Sequence, residues 1–147
     1  MSIELIELKS QKDIKRFKQL MNLLHPQGHP QGAVYAKGWR FWALVNEKGE
    51  WLVLMSTHLL NNYKYSQQYR LKMDRTVFLR RILTLPREEN VAVEALRQLI
   101  ERLRSEGYHA LITLSLPRHS GALYRHAGMT KVGESSKGHG IWLLKLK

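Results

Sequence analysis

From Asn61 to Arg75 the chain interleaves three tyrosines, Tyr63, Tyr65 and Tyr69, with Lys64, Arg70, Lys72 and Arg75, against one acid, Asp74. Rings that stack and cations that meet phosphates are what a single-strand or flipped-base binder needs. A stacked base contributes ~1–3 kcal/mol, and phosphate contacts add a salt-dependent affinity. The same composition also fits a solvated basic loop whose tyrosines pack inward, and composition alone does not separate the two. Arg80, Arg81 and Arg87 extend the basic run. The absence of cysteine excludes a thiol nucleophile, a disulfide framework, a Cys-ligated zinc and an iron–sulfur cluster. His25 and His29 have the spacing of a helical metal pair, but Pro26 and Pro30 place them in a loop, so no metal site is expected.

The charge of +12 over 147 residues, from 24 Lys plus Arg against 12 Asp plus Glu, points to an anionic partner. With 44% hydrophobic residues this is a folded basic domain and not a disordered tail. Its length suits one domain spanning residues 1–147. No apolar run reaches the ~18–20 residues of a membrane span, and residues 1–13 alternate charged and apolar, so no membrane partner and a cytoplasmic location are expected. Between residues 88 and 106 five acids face three bases, so the remainder of the chain carries +14. The helix there is not expected to be a nucleic-acid face.

The elements that must position these groups follow from periodicity. Residues 2–8 alternate as a strand. Ser10 and Asp13 stand at capping-box spacing before a helix over 11–24. Two strands, 39–45 and 51–58, flank a polar turn containing Gly49. Residues 76–85 form a strand closed by Pro86, and residues 87–106 a helix with Ala92, Ala95, Leu96, Leu99, Ile100 and Leu103 on one stripe, ended by Gly107. A strand over 110–116, a short helix capped by Ser120 and ended by Gly128, and strands near 130–133 and 141–146 complete the chain. The expected class is a mixed α/β (α+β) single domain of order β-α-β-β-β-α-β-α-β-β.

That order, with the segments 79–92 (Leu-Arg-Arg-Ile-Leu-Thr-Leu-Pro-Arg-Glu-Glu-Asn-Val-Ala) and 122–129 (Ala-Leu-Tyr-Arg-His-Ala-Gly-Met), resembles the GCN5-related N-acetyltransferase (GNAT) superfamily. The resemblance implies a mixed central sheet and acetyl-CoA or a related acyl-CoA as cofactor. It further implies that the loop before the second long helix holds the donor's pyrophosphate at a helix N-terminus. On this reading Arg87, Asn90 and Val91 hold donor phosphates, with Asn90 standing where the family has glycine. Backbone groups of Arg81, Ile82 and Leu83 pair with the pantetheine arm. Tyr124 matches the family's acid, and a phenol near pKa ~10 suits protonation of a thiolate near ~8.5. Glu88 and Glu89 suit the helix dipole but repel a pyrophosphate.

The run His119–Glu134 is similar to the stretch found in phage Mom-type DNA modification proteins, a divergent branch of the same superfamily, although Leu114-Ser115-Leu116-Pro117 stands where that branch carries an acid. This resemblance implies modification of adenine in DNA. The reading is an acyltransferase acting on a nucleic-acid amine, DNA favoured over RNA, with Tyr63, Lys64, Tyr65, Tyr69, Arg70, Arg80 and His119 on the substrate side. His58 and His119 are expected near the cleft as a base or a phosphate contact. Two alternatives remain open: an ordinary acetyl-CoA-dependent N-acetyltransferase of a protein or small-molecule amine, and a non-catalytic nucleic-acid-binding domain on the same fold.

Overall fold

The structure, a computed structural model, describes residues 2–30, 36–86 and 91–147. Seven strands form one sheet: β1 (Glu4–Leu8), β2 (Arg40–Val45), β3 (Trp51–Leu59), β4 (Thr76–Thr84), β5 (Ala110–Ser115), β6 (Thr130–Glu134) and β7 (Gly140–Lys145). Their spatial order is β1-β2-β3-β4-β5-β7-β6, and every neighbouring pair is antiparallel except β4 and β5. The parallel pair needs a crossover. Helix α3 (Val91–Ser105) supplies it.

Alternation along the strands sorts the core onto two faces. Val53, Met55, Val77 and Leu79 pack with Leu96, Leu99 and Leu103 of α3. On the opposite face Leu54 and Ala43 meet Phe17 and Met21 of α1 (Gln11–Leu24), whose N-terminus is capped by Ser10 Oγ accepting from the Asp13 N–H at 3.1 Å. The stripe read from the sequence of α3 is the buried one, with Ala95, Leu96, Leu99, Ile100 and Leu103 inside.

Two local details differ from the sequence expectation. Residues 63–68, read as part of a connection, form a short helix α2 (Tyr63–Gln68). Its periodicity is too brief to register in the sequence. It holds because Asn62 Oδ1 accepts from the Tyr65 N–H at 3.0 Å and Tyr65 packs with Leu60, Leu71, Phe78 and Ile112. Helix α4 (Ala122–His126) begins at Gly121, not Ser120. Gly121 has φ +72°, and a Cβ there would lie 2.1 Å from Trp142 Cζ2, so only glycine fits. Among the described residues no helix is long and apolar enough to cross a membrane.

Candidate active site

The cleft arises where the parallel strands part. The β4–β5 ladder ends at Leu79 and Thr113, after which β4 follows β3 and β5 follows β7. Arg80 is the extra residue of a β-bulge, because Ser56 pairs with Arg81 while Thr57 pairs with Leu79. Beyond the bulge one edge of β4 has no neighbouring strand among the described residues. The Leu85 N–H donates to Leu52 O at 2.8 Å, so by the alternation of an antiparallel ladder Leu83 and Arg81 turn their backbone groups toward β3. Ile82 and Thr84 therefore turn theirs into the cleft. Of the expected pantetheine partners Arg81, Ile82 and Leu83, Ile82 turns its main chain into the cleft, as does Thr84, which the sequence does not single out.

The cleft has a volume of about 550 Å³, within the ~300–1,000 Å³ typical of ligand sites. Tyr124 and Leu123 of α4 form one wall, and His25, Pro26 and Gln27 beyond α1 form the other. At the apex the Thr113 hydroxyl donates to Leu79 O at 2.8 Å, which fixes its proton. The Tyr124 phenol meets this hydroxyl, a contact that acts against the effect of burial on its pKa. The ring of Tyr124 rests 5.9 Å from that of Trp142. Burial raises the phenol above its ordinary pKa, so Tyr124 keeps its proton at neutral pH.

No carboxylate is among the described residues lining this cleft. Its charged groups are Arg80 and Arg81, both half-buried and both held below the usual guanidinium range by burial, with Arg80 adding its repulsion at Arg81. Arg81 Nε donates to Gly28 O at 2.6 Å and ties the 25–30 loop to β4. Arg80 Nε donates to His58 Nε2 at 3.1 Å, and His58 Nδ1 donates to Leu59 O at 2.7 Å. His58 is 1% exposed with both ring nitrogens engaged, so it orients Arg80 and is unavailable as a base. His119 lines the cleft as expected. His25 does too, with Nδ1 accepting from the Gln27 N–H at 3.1 Å. Its place in the cleft was not foreseen, since a loop histidine carries no periodic signal. His29 points elsewhere, 7% exposed among Phe17, Trp39 and Phe41.

The remaining expected residues divide. Arg87 and Asn90 lie outside the described residues, as do Glu88 and Glu89. Val91 opens α3 and packs on its core. Tyr65 is buried and offers no face for stacking, whereas Tyr69 is partly buried beside the same cluster with its hydroxyl enclosed. Tyr63 is 67% exposed. Lys64 is exposed beside it on α2. Arg70 lies near the opposite end of β4 from the cleft, lining a separate cavity with Thr76.

The two enclosed histidines make stability pH-dependent. Burial lowers His29 to about 4, its hydrogen bond to Pro30 O acting the other way and Lys18, Arg81 and Arg80 adding to the fall. Burial likewise lowers His58 to about 4, opposed by the bond to Leu59 O and helped by Arg80. The unfolded imidazoles take up protons near pH 6.5, so between pH 6.5 and 4 the unfolded chain binds more protons and stability falls with acid. From pH 7 to pH 5 urea denaturation should show a loss of about 2 kcal/mol per histidine, roughly halved in His29→Phe. A midpoint unchanged over that range would contradict this protonation assignment.

No family model matches the chain. Uncharacterized protein 154 of Sulfolobus islandicus rod-shaped virus 1 is 28% identical over 138 residues, 91% of this chain and 89% of that protein. Among solved structures, the ribosomal-protein-S18-alanine N-acetyltransferase of Escherichia coli superposes with a TM-score of 0.69 at 14% identity, covering 99% of this chain and 94% of that one. A GNAT-superfamily phosphinothricin acetyltransferase from Sinorhizobium meliloti, solved with acetyl-CoA, gives 0.70 at 16% identity, covering 99% and 89%. An aminoglycoside acetyltransferase in complex with coenzyme A gives 0.72 at 12% identity, covering 98% and 95%. The chain has the fold of the GCN5-related N-acetyltransferases.

Proposed function

We propose that this protein is an acyl-CoA-dependent N-acyltransferase whose acceptor amine belongs to a nucleic acid, DNA before RNA. The observation that carries the proposal is the cleft itself: an unpaired β4 edge, a protonated phenol on one wall, two half-buried arginines and no carboxylate among its described lining. A polycationic acceptor would be repelled by that lining, whereas a phosphate-bearing one is drawn to it. Adenine as the modified base rests on the Mom-type resemblance of residues 119–134.

The residues fit the donor at its arm. Ile82 and Thr84 present N–H and C=O groups as a strand would, and an amide-bearing chain can lie along them. A bound acyl-CoA supplies an electrophilic thioester carbonyl and a thiolate leaving group. Tyr124 holds a proton at Oη for that thiolate, its ring resting against Trp142. Arg80, oriented by His58, and Arg81 hold acceptor phosphate through charge-assisted hydrogen bonds. The His119 ring, with no hydrogen bond among the described residues, is placed to take the proton the amine releases. Expression in cells followed by mass spectrometry of DNA and RNA nucleosides should reveal a new acylated nucleoside. Unmodified nucleosides alongside an acylated protein or small amine would replace this acceptor.

A further inference from the structure

A second cavity, of about 230 Å³, lies at the opposite end of β4 and β5 from the cleft. Three chain segments build it. Backbone bonds lock them together: Arg75 N–H to Lys72 O, His109 N–H to Arg75 O and Leu146 N–H to His109 O, at 3.1, 2.8 and 2.8 Å. This brings Arg70, Lys72, His109, Lys145 and Lys147 around Thr76. None of the four lysines and arginines among them makes an ion pair with a described residue. Asp74 is the acid nearby. Its charge raises the His109 imidazole, while desolvation and then Lys147, Lys72 and Arg75 lower it, so the cations prevail.

The floor of this cavity carries an independent signal. Thr76 is 0% exposed, and its Oγ1 has no hydrogen-bond partner. A buried hydroxyl without a partner is destabilising, so native structures seldom keep one without a use. Here it lines a cationic cavity with room for a small anion.

We propose that this cavity is a phosphate-binding site, with Thr76 Oγ1 donating to a phosphate oxygen and Lys72, Lys145 and Lys147 neutralising its charge, and that its occupant is a backbone phosphate of the nucleic-acid acceptor. The occupant's identity rests on the function proposed above, whereas the site rests on Thr76 and the cations alone. Thr76 and Ile82 are separated by about 20 Å along β4 at ~3.3 Å per residue, a span of a few nucleotides. The site would hold the strand about that far from the modified base.

Binding of a fluorescent single-stranded 12-mer across a salt series tests this on wild type, on Lys72→Glu/Lys145→Glu and on Thr76→Val, with inorganic phosphate titrated in parallel and followed by the amide shifts of Thr76 and His109. The double variant should bind at least tenfold more weakly, with a salt slope shallower by about 0.7, the value for one lost phosphate of a single strand. Thr76→Val should weaken phosphate binding several-fold, leave the slope unchanged and raise the melting temperature, because it removes an unpartnered hydroxyl. Wild-type DNA binding whose slope survives in the double variant would overturn the proposal, as would the absence of any phosphate-induced shift. Saturable phosphate shifts lost in the variant, with no wild-type DNA binding, would uphold the site, give it a small phosphorylated occupant and defeat the nucleic-acid reading alone.

Discussion

Tyr124→Phe should lower kcat by about 100- to 10,000-fold, the range for a lost general acid, while donor and nucleic-acid affinities stay within about twofold. The substitution removes one oxygen from a ring that remains packed on Trp142, so the fold keeps its contacts. Burial holds the phenol protonated, and the variant removes that proton from the cleft wall. Thr113→Val should cost less, because it changes the phenol's surroundings without removing the acid. Single-turnover kinetics with the acylated donor separate these outcomes. Equal rates for wild type and Tyr124→Phe would take the tyrosine out of the chemistry.

Gly121→Ala should be the most damaging single methyl in the described chain. The added carbon would sit 2.1 Å from Trp142 Cζ2 and 2.5 Å from Cε2, at a φ of +72° that an L-residue adopts only with strain. Trp142 has nowhere to go: it is 1% exposed, and its Nε1 donates to Ser115 Oγ at 3.2 Å. Overpacking and backbone strain together should lower stability by about 3 kcal/mol. Relief would come from moving α4, and Tyr124 rides on α4. The variant should therefore lose turnover even below its melting temperature, which chemical denaturation and steady-state kinetics on one preparation would show together. Wild-type stability in Gly121→Ala would mean that α4 does not rest on Trp142 as described.

Much of this arrangement is legible in the residues. The stripe of α3 and the alternation of β1 follow from side-chain period, and the segment 122–129 marks the turn that delivers Tyr124. What escaped is what depends on two segments meeting. That Tyr65 is a core anchor while Tyr63 stays exposed is decided by α2 docking on Phe78 and Ile112, and both tyrosines look alike in a basic stretch. The division of Arg80 from Arg70 is likewise tertiary: a bulge in β4 sends one into the cleft, and the turn before β4 leaves the other at the far end. The net charge of +12 reads as one property in the sequence but belongs to at least two places in the fold. His58 could be read as a base from its position, yet its two hydrogen bonds make it a support for Arg80.

The gap between β4 and β5 is proposed to hold an acyl-coenzyme A. Calorimetric titration of acetyl-CoA into the protein, with backbone amide shifts recorded at saturation, tests it directly. A saturable one-to-one heat is expected, with the largest shifts at Ile82, Thr84 and the α4 residues around Tyr124. No heat, or a binding event whose shifts leave Ile82 and Thr84 unmoved, would contradict it.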